Sequence, residues 1–164
     1  MSKTLDIILY MSELIYDFQN KAFIMGRMKG SDGKTPEQTS NMQASDDEED
    51  KNQLLRSIQG AYGQLLNELN EMLYGETDAT ASNKLLEDSD IHISLKVPSN
   101  FVMGIKDSVT SSIHDYIINK ALMDWYLMTN KDDAKEYSDL AVAALGTLRS
   151  ALYKRERPTR KNVG

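Results

Sequence analysis

The chain has no cysteine, so neither a disulfide framework nor a thiolate metal site is available to it. Three prolines and nine glycines are too few for a loop-rich or all-β architecture in 164 residues. Its two histidines, His92 and His114, have no His-x3-His or Glu-x2-His partner of the kind that zinc requires. No apolar run approaches the ~20 residues needed to span a bilayer. The opening Met1-Ser2-Lys3-Thr4 lacks the apolar core and small-residue cleavage site of a secretory signal. There is no Gly-x-Ser-x-Gly elbow and no dinucleotide fingerprint.

Gly33-Lys34-Thr35 imitates the end of a phosphate-binding loop, but Met28 stands where the earlier glycine is required and Pro36 obstructs a following helix. It reads as a turn. The run Asp46-Asp47-Glu48-Glu49-Asp50 lacks the order of a calcium loop. It suits a solvated helix start, where carboxylates offset the macrodipole, or a docking strip for a basic patch. With these candidates gone, the expectation is a protein that is not an enzyme and has neither cofactor nor metal.

What is present describes an ordinary wet-surfaced domain: 40% hydrophobic and 27% charged residues. The length suits one domain, 1–164, and the protein is expected to be soluble. Four helical stretches carry most of the apolar residues. In the first, starting near Thr4, Ile8, Met11, Ile15, Phe18, Ala22 and Met25 recur at three- and four-residue steps. The second follows Ser45 and carries Leu54, Ile58, Leu65, Leu69 and Met72 on one face. Gly60 and Gly63 inside it point either to a close helix approach or to a break.

Ile91, Ile93, Leu95 and Val97 alternate with His92, Ser94 and Lys96, the period of a half-buried strand closed by Pro98. A strand needs a partner, either within the chain (Thr77–Leu86 is a weak candidate) or on another subunit. The third helix, Ser99–Met128, is capped by Ser99 or Asn100 and includes Trp125 and Tyr126, with Met123 and Met128 as gap-fillers. Asn130 offers an N-cap for the fourth, Lys131–Tyr153, whose buried face comprises Tyr137, Leu140, Ala141, Ala144, Leu145, Leu148, Ala151 and Leu152. The short turn at Thr129-Asn130-Lys131 makes these two an antiparallel hairpin. The fold class expected is mainly α: an antiparallel bundle of about four long helices with a small β element and an extended C-terminal arm. A flexible acidic linker is expected over 30–50.

Charge is distributed unevenly. Residues 149–164 hold six basic residues against one acid, about +5, while the preceding body holds thirteen against twenty-four. The basic arm, 153–164, is expected to bind a partner through Tyr153, Lys154, Arg155, Arg157, Pro158, Arg160 and Lys161. Guanidinium groups fork onto carboxylates, and Pro158 keeps the chain from continuing as helix. Tyr153 is expected to anchor the start of the arm with its ring packed. An acidic body argues against tight nucleic-acid binding.

The segment from about Ile91 to Arg160 resembles the C-terminal half of small proteins encoded among the structural genes of tailed phages, particularly those infecting gut Bacteroidetes. Val97-Pro98-Ser99-Asn100-Phe101, Trp125-Tyr126 near Thr129-Asn130-Lys131-Asp132-Asp133-Ala134, and Tyr153-Lys154-Arg155-Glu156-Arg157-Pro158 carry the resemblance. The layout is similar to that of the head-to-tail connector, or adaptor, family. That resemblance implies a virion structural protein at the head–tail junction, made in the host cytoplasm. It implies a homo-oligomeric ring of about twelve copies that connects portal protein to tail or other ring proteins. Genome DNA would pass through without sequence-specific binding, and no membrane is involved. The alternative is a small helical protein-binding regulator outside the virion, without catalytic activity.

Overall fold

Leu5, Ile7 and Leu9 are buried while Thr4, Asp6 and Ile8 point away from the core, and this period of two makes the N-terminal segment a strand. A computed structural model describes residues 2–31, 36, 43, 48–73 and 90–158. Among these residues the chain is mainly helical, with four α-helices and one two-stranded antiparallel sheet. In order they are β1 (Ser2–Leu9), α1 (Met11–Ser31), α2 (Glu48–Glu68), β2 (Ile91–Pro98), α3 (Lys106–Thr129) and α4 (Lys131–Leu152). Short 3-10 turns lie at Asn70–Met72 and Met103–Ile105.

The strand at 91–98 therefore has its partner within the chain. β1 and β2 pair antiparallel from Ser2↔Pro98 to Leu9↔Ile91. This corrects two expectations: the first helix does not begin near Thr4, and β2 does not require an edge on another subunit. Ile8, assigned to the helical seam, is a strand residue 49% exposed. The helix proper starts at Met11, with Met11, Leu14, Phe18 and Ala22 buried along one stripe. The segment Thr77–Leu86 lies outside the described residues, as does most of the linker 30–50. The ends of that linker are helical, since α1 runs to Ser31 and α2 begins at Glu48.

α2 continues through Gly60 and Gly63 without a break. A Cβ built on Gly60 meets nothing within 4 Å, so this glycine does not serve a close approach. Glu48, Glu49 and Asp50 occupy the first turn, where their charge complements the helix N-terminus. Leu54, Ile58, Tyr62 and Leu65 turn inward, and Ser57 donates to Asp124 Oδ2 on α3 at 2.8 Å.

α3 occupies the middle of the fold and packs against α1, α2, α4 and β1. Its buried residues, from Val109 to Tyr126, lie on every side, as expected of a helix covered all round. Phe101 precedes the helix instead of belonging to it. It is fully buried, and the α-helix starts only at Lys106, so neither Ser99 nor Asn100 caps it. Trp125 is 4% exposed and meets Phe18 of α1 edge-on, with ring centroids 5.8 Å apart. Met128, expected to fill a gap beside it, is instead exposed.

The α3–α4 turn is locked by polar groups. Asn130 sits at the N-cap position of α4, but its side chain donates to the buried Asp133 carboxylate at 2.5 Å instead of accepting from the backbone. Tyr126 and Tyr137 pack ring to ring beside it, with centroids 5.1 Å apart. Along α4, Ala134, Tyr137, Ala141, Leu148, Ala151 and Leu152 are buried, whereas Leu140, assigned to this face, is 45% exposed.

Candidate partner-binding surface

The basic segment begins where α4 runs out of partners for its last carbonyls. Tyr153 N–H donates to Arg149 O and Lys154 N–H to Ala151 O, closing the final turn. Arg155 then folds back. Its Nη1 donates to Leu152 O at 2.8 Å and to Lys154 O at 3.0 Å, placing a cation on the negative end of the helix. Its guanidinium lies 5.9 Å from the centre of the Tyr153 ring.

The backbone of this segment is tied to the body. Arg155 forms an antiparallel bridge with Phe101, and Glu156 N–H donates to Asn100 O at 2.7 Å. Phe101 is thereby held between the end of β2 and the end of α4, and Lys3 Nζ reaches its carbonyl at 3.5 Å. Thus the first four residues of the expected arm, 153–156, are docked on their own subunit. Tyr153 is 65% exposed, so its ring is not packed into the core of this subunit. Lys154, Arg157 and Pro158 are exposed, and Arg160 and Lys161 lie outside the described residues.

Upstream, Arg149 forms an ion pair with Glu68 at the end of α2. Tyr116 lies close enough to feel both charges. Burial and the Glu68 carboxylate push its phenol above the ordinary value near 10, and Arg149 opposes them. Burial also raises Tyr137, aided by Glu136 and Asp133. The largest rise is at Tyr126, whose hydroxyl is buried with no hydrogen-bond partner among the described residues and faces the negative fields of Tyr137 and Asp133.

The two histidines lie at separate places. His114 on α3 contacts Asp17 on α1 at 2.5 Å, joining the two helices. His92 lies on the outer face of the sheet, 3.7 Å from Asp6 Oδ1, and Ser94 donates to the same oxygen at 2.9 Å. These are the residue types of a hydrolytic triad in another order: the hydroxyl donates to the carboxylate instead of to an imidazole base. Ser94 is also fully buried. Among the described residues, no group of three or more His, Cys, Asp or Glu side chains is placed to hold a metal. Gly33-Lys34-Thr35 falls outside the described residues. No described helix is long and apolar enough to cross a membrane.

Two further surfaces lie apart from the basic segment, and of these the one on α1 was not identified from the sequence pattern. On α1, Tyr16, Phe23, Ile24 and Met28 are exposed on the side away from α3, with Arg27 5.8 Å above the Phe23 ring. The signal was present: apolar residues occur in this segment outside the 11/15/18/22/25 seam. On α4, one outward row, Ala143, Gly146, Thr147 and Ser150, is built of small side chains, with Val142 exposed beside it. An open groove of about 480 Å³ runs there past Ile105, Ser108, Ala143, Gly146, Thr147 and Ser150, with Lys154 at its lip.

Comparison of the chain with protein-family models, curated proteins and solved structures finds no match.

Proposed function

We propose that this protein is a structural subunit of a tailed-phage virion, one copy of a ring that joins the portal to the tail. In this reading the helices form an antiparallel bundle, and the chain beyond Glu156 is an arm that docks on the portal or on a neighbouring copy. The observation that supports it best is the C-terminal segment. Its root is pinned at Phe101 and Asn100, while Arg157 and Pro158 leave the body exposed and basic. A pinned root lowers the entropy lost when an arm engages a partner. The resemblance of residues 91–160 to small proteins from the structural genes of tailed phages, and of the layout to the connector family, supports the same reading.

The test is a truncation placed by the structure. Removing residues 157–164 leaves the Arg155 cap and the Glu156–Asn100 bond in place, so the thermal midpoint should stay within about 2 °C of the full chain. Ring assembly or portal attachment, followed by light scattering and negative-stain imaging with co-expressed portal, should be lost. A truncated chain that assembles normally, or a full chain that neither assembles nor binds portal, would sink the proposal.

A further inference from the structure

The α1 and α4 surfaces are unlike, and they match in a specific register. Both helices pack against α3 on different sides: α1 meets His114 and Trp125, and α4 meets Tyr126. The outward row of α1 reads Glu13, Tyr16, Asn20, Phe23, Arg27, and all five are exposed. The outward row of α4 and its end reads Asp139, Ala143, Gly146, Ser150, Lys154, and these are exposed as well. One row is bulky with an acid at its N-terminal end and a base at its C-terminal end. The other is small with the same order of charges.

The geometry points to a second copy of this chain as the occupant of the α4 groove, with its α1 laid antiparallel along it. In that register Tyr16 falls at Ser150, Asn20 at Gly146 and Phe23 at Ala143. Arg27 then meets Asp139, and Glu13 meets Lys154. Both rows advance by three or four residues, and the charged ends stand fourteen residues apart on α1, about 21 Å at 1.5 Å per residue, and fifteen apart on the α4 row, where Lys154 lies two residues past the end of the helix. Small residues let the helix axes come close, and a Cβ built on Gly146 meets nothing within 4 Å, so the space is open. Glu13, Arg27, Asp139 and Lys154 form no ion pair among the described residues. Reversing the direction of either helix sets Arg27 against Lys154 and Glu13 against Asp139, which like-charge repulsion disfavours.

This contact is heterologous: each copy offers one face and receives the other, so it closes a ring or extends a filament. It deepens the ring-subunit reading by naming the surfaces between neighbours, and it is separate from the arm.

The absence of cysteine gives a clean test. Full-length Phe23→Cys and Ala143→Cys chains, mixed and mildly oxidised, should form a disulfide-linked heterodimer, and neither should link efficiently alone. In sedimentation across the micromolar range, Arg27→Asp and Asp139→Arg should each weaken self-association by about ten-fold, and the mixture of the two variants should recover it. Phe23→Cys dimers formed alone would overturn the register in favour of two α1 faces meeting. A monomeric Phe23→Cys chain whose new thiol is shielded from thiol reagents would overturn it as well. It would mean that the chain's own residues near Gln43, whose side-chain amide reaches Phe23 O at 3.4 Å, cover that face.

The outcomes also separate this contact from the ring reading. Chains that cross-link at 23 and 143 but never engage a portal would sink the ring reading and leave the contact standing. Portal-bound rings without that cross-link would do the reverse.

Discussion

α1 and α3 carry the same kind of sequence and meet different fates. Each has apolar side chains around most of its circumference, and in α3 nearly all of them are covered by α1, α2, α4 and the sheet. In α1 only one side is covered, and Tyr16 and Phe23 remain 64% and 48% exposed. The difference lies in position along the chain's packing, not in composition. A helix apolar all round is central when neighbours surround it, and it is a surface with unfilled contacts when they do not.

The largest break in this contrast is expected at Trp125. Trp125→Ala removes an indole wedged between α3 and α1 and should cost about 3–5 kcal/mol, measured by urea unfolding. An unchanged midpoint would mean that α1 does not depend on α3. The tyrosines of the same centre predict a pH effect. Tyr116, Tyr126 and Tyr137 titrate higher in the folded chain than when unfolded. Above about pH 10 the unfolded state therefore loses phenolic protons that the folded state keeps, and stability falls as pH rises further. Below that pH the contribution is intact. Thermal midpoints from pH 8 to 11 check the sign, and a rising midpoint above 10 would contradict it.

A smaller effect is expected where α1 begins. Asp90 Oδ1 accepts the Met11 N–H at 3.0 Å, so Asp90→Ala should cost about 1 kcal/mol, with Asn retaining most of it. Tyr126→Phe removes a buried hydroxyl that has no partner among the described residues and should be neutral or stabilising by up to about 1 kcal/mol. A clear loss would show that the hydroxyl is bonded. Phe23→Ser, on the open side of α1, should change stability by no more than about 0.5 kcal/mol. The same substitution should weaken self-association, and together with Trp125→Ala it separates covered from uncovered apolar residues on neighbouring helices.

The parts legible in the sequence were those specified by local pattern. The alternation from Ile91 to Val97 gave β2, and the short break at Thr129–Lys131 gave the α3–α4 hairpin. What remained hidden depended on residues far apart in the chain. The buried residues of β1, Leu5, Ile7 and Leu9, run into Met11 with only Tyr10 between strand and helix, so two periods merge and the helical one masked the strand. The cap on α1 comes from Asp90, which no pattern near residue 11 announces. The same holds at the candidate site. The charge of residues 153–158 is plain in the sequence, but Arg155 and Glu156 are engaged by Leu152 and Asn100, and only distant contacts reveal this. Leu140 and Met128 show the opposite error, in which hydrophobicity alone overstated burial.

The pairing of β1 with β2 has a consequence for synthesis. Leu9 pairs with Ile91, so the first strand leaves the ribosome about eighty residues ahead of its partner. At about 5–20 residues per second, that is a delay of roughly 4–16 s. Throughout it, Leu5, Ile7 and Leu9 belong to a short apolar segment whose native backbone partners have not yet been made. Two nascent chains on one polysome hold identical segments in this condition at close range. Recovery of native protein then depends on translation rate between the two strands and on what shields the nascent N-terminal segment during that interval.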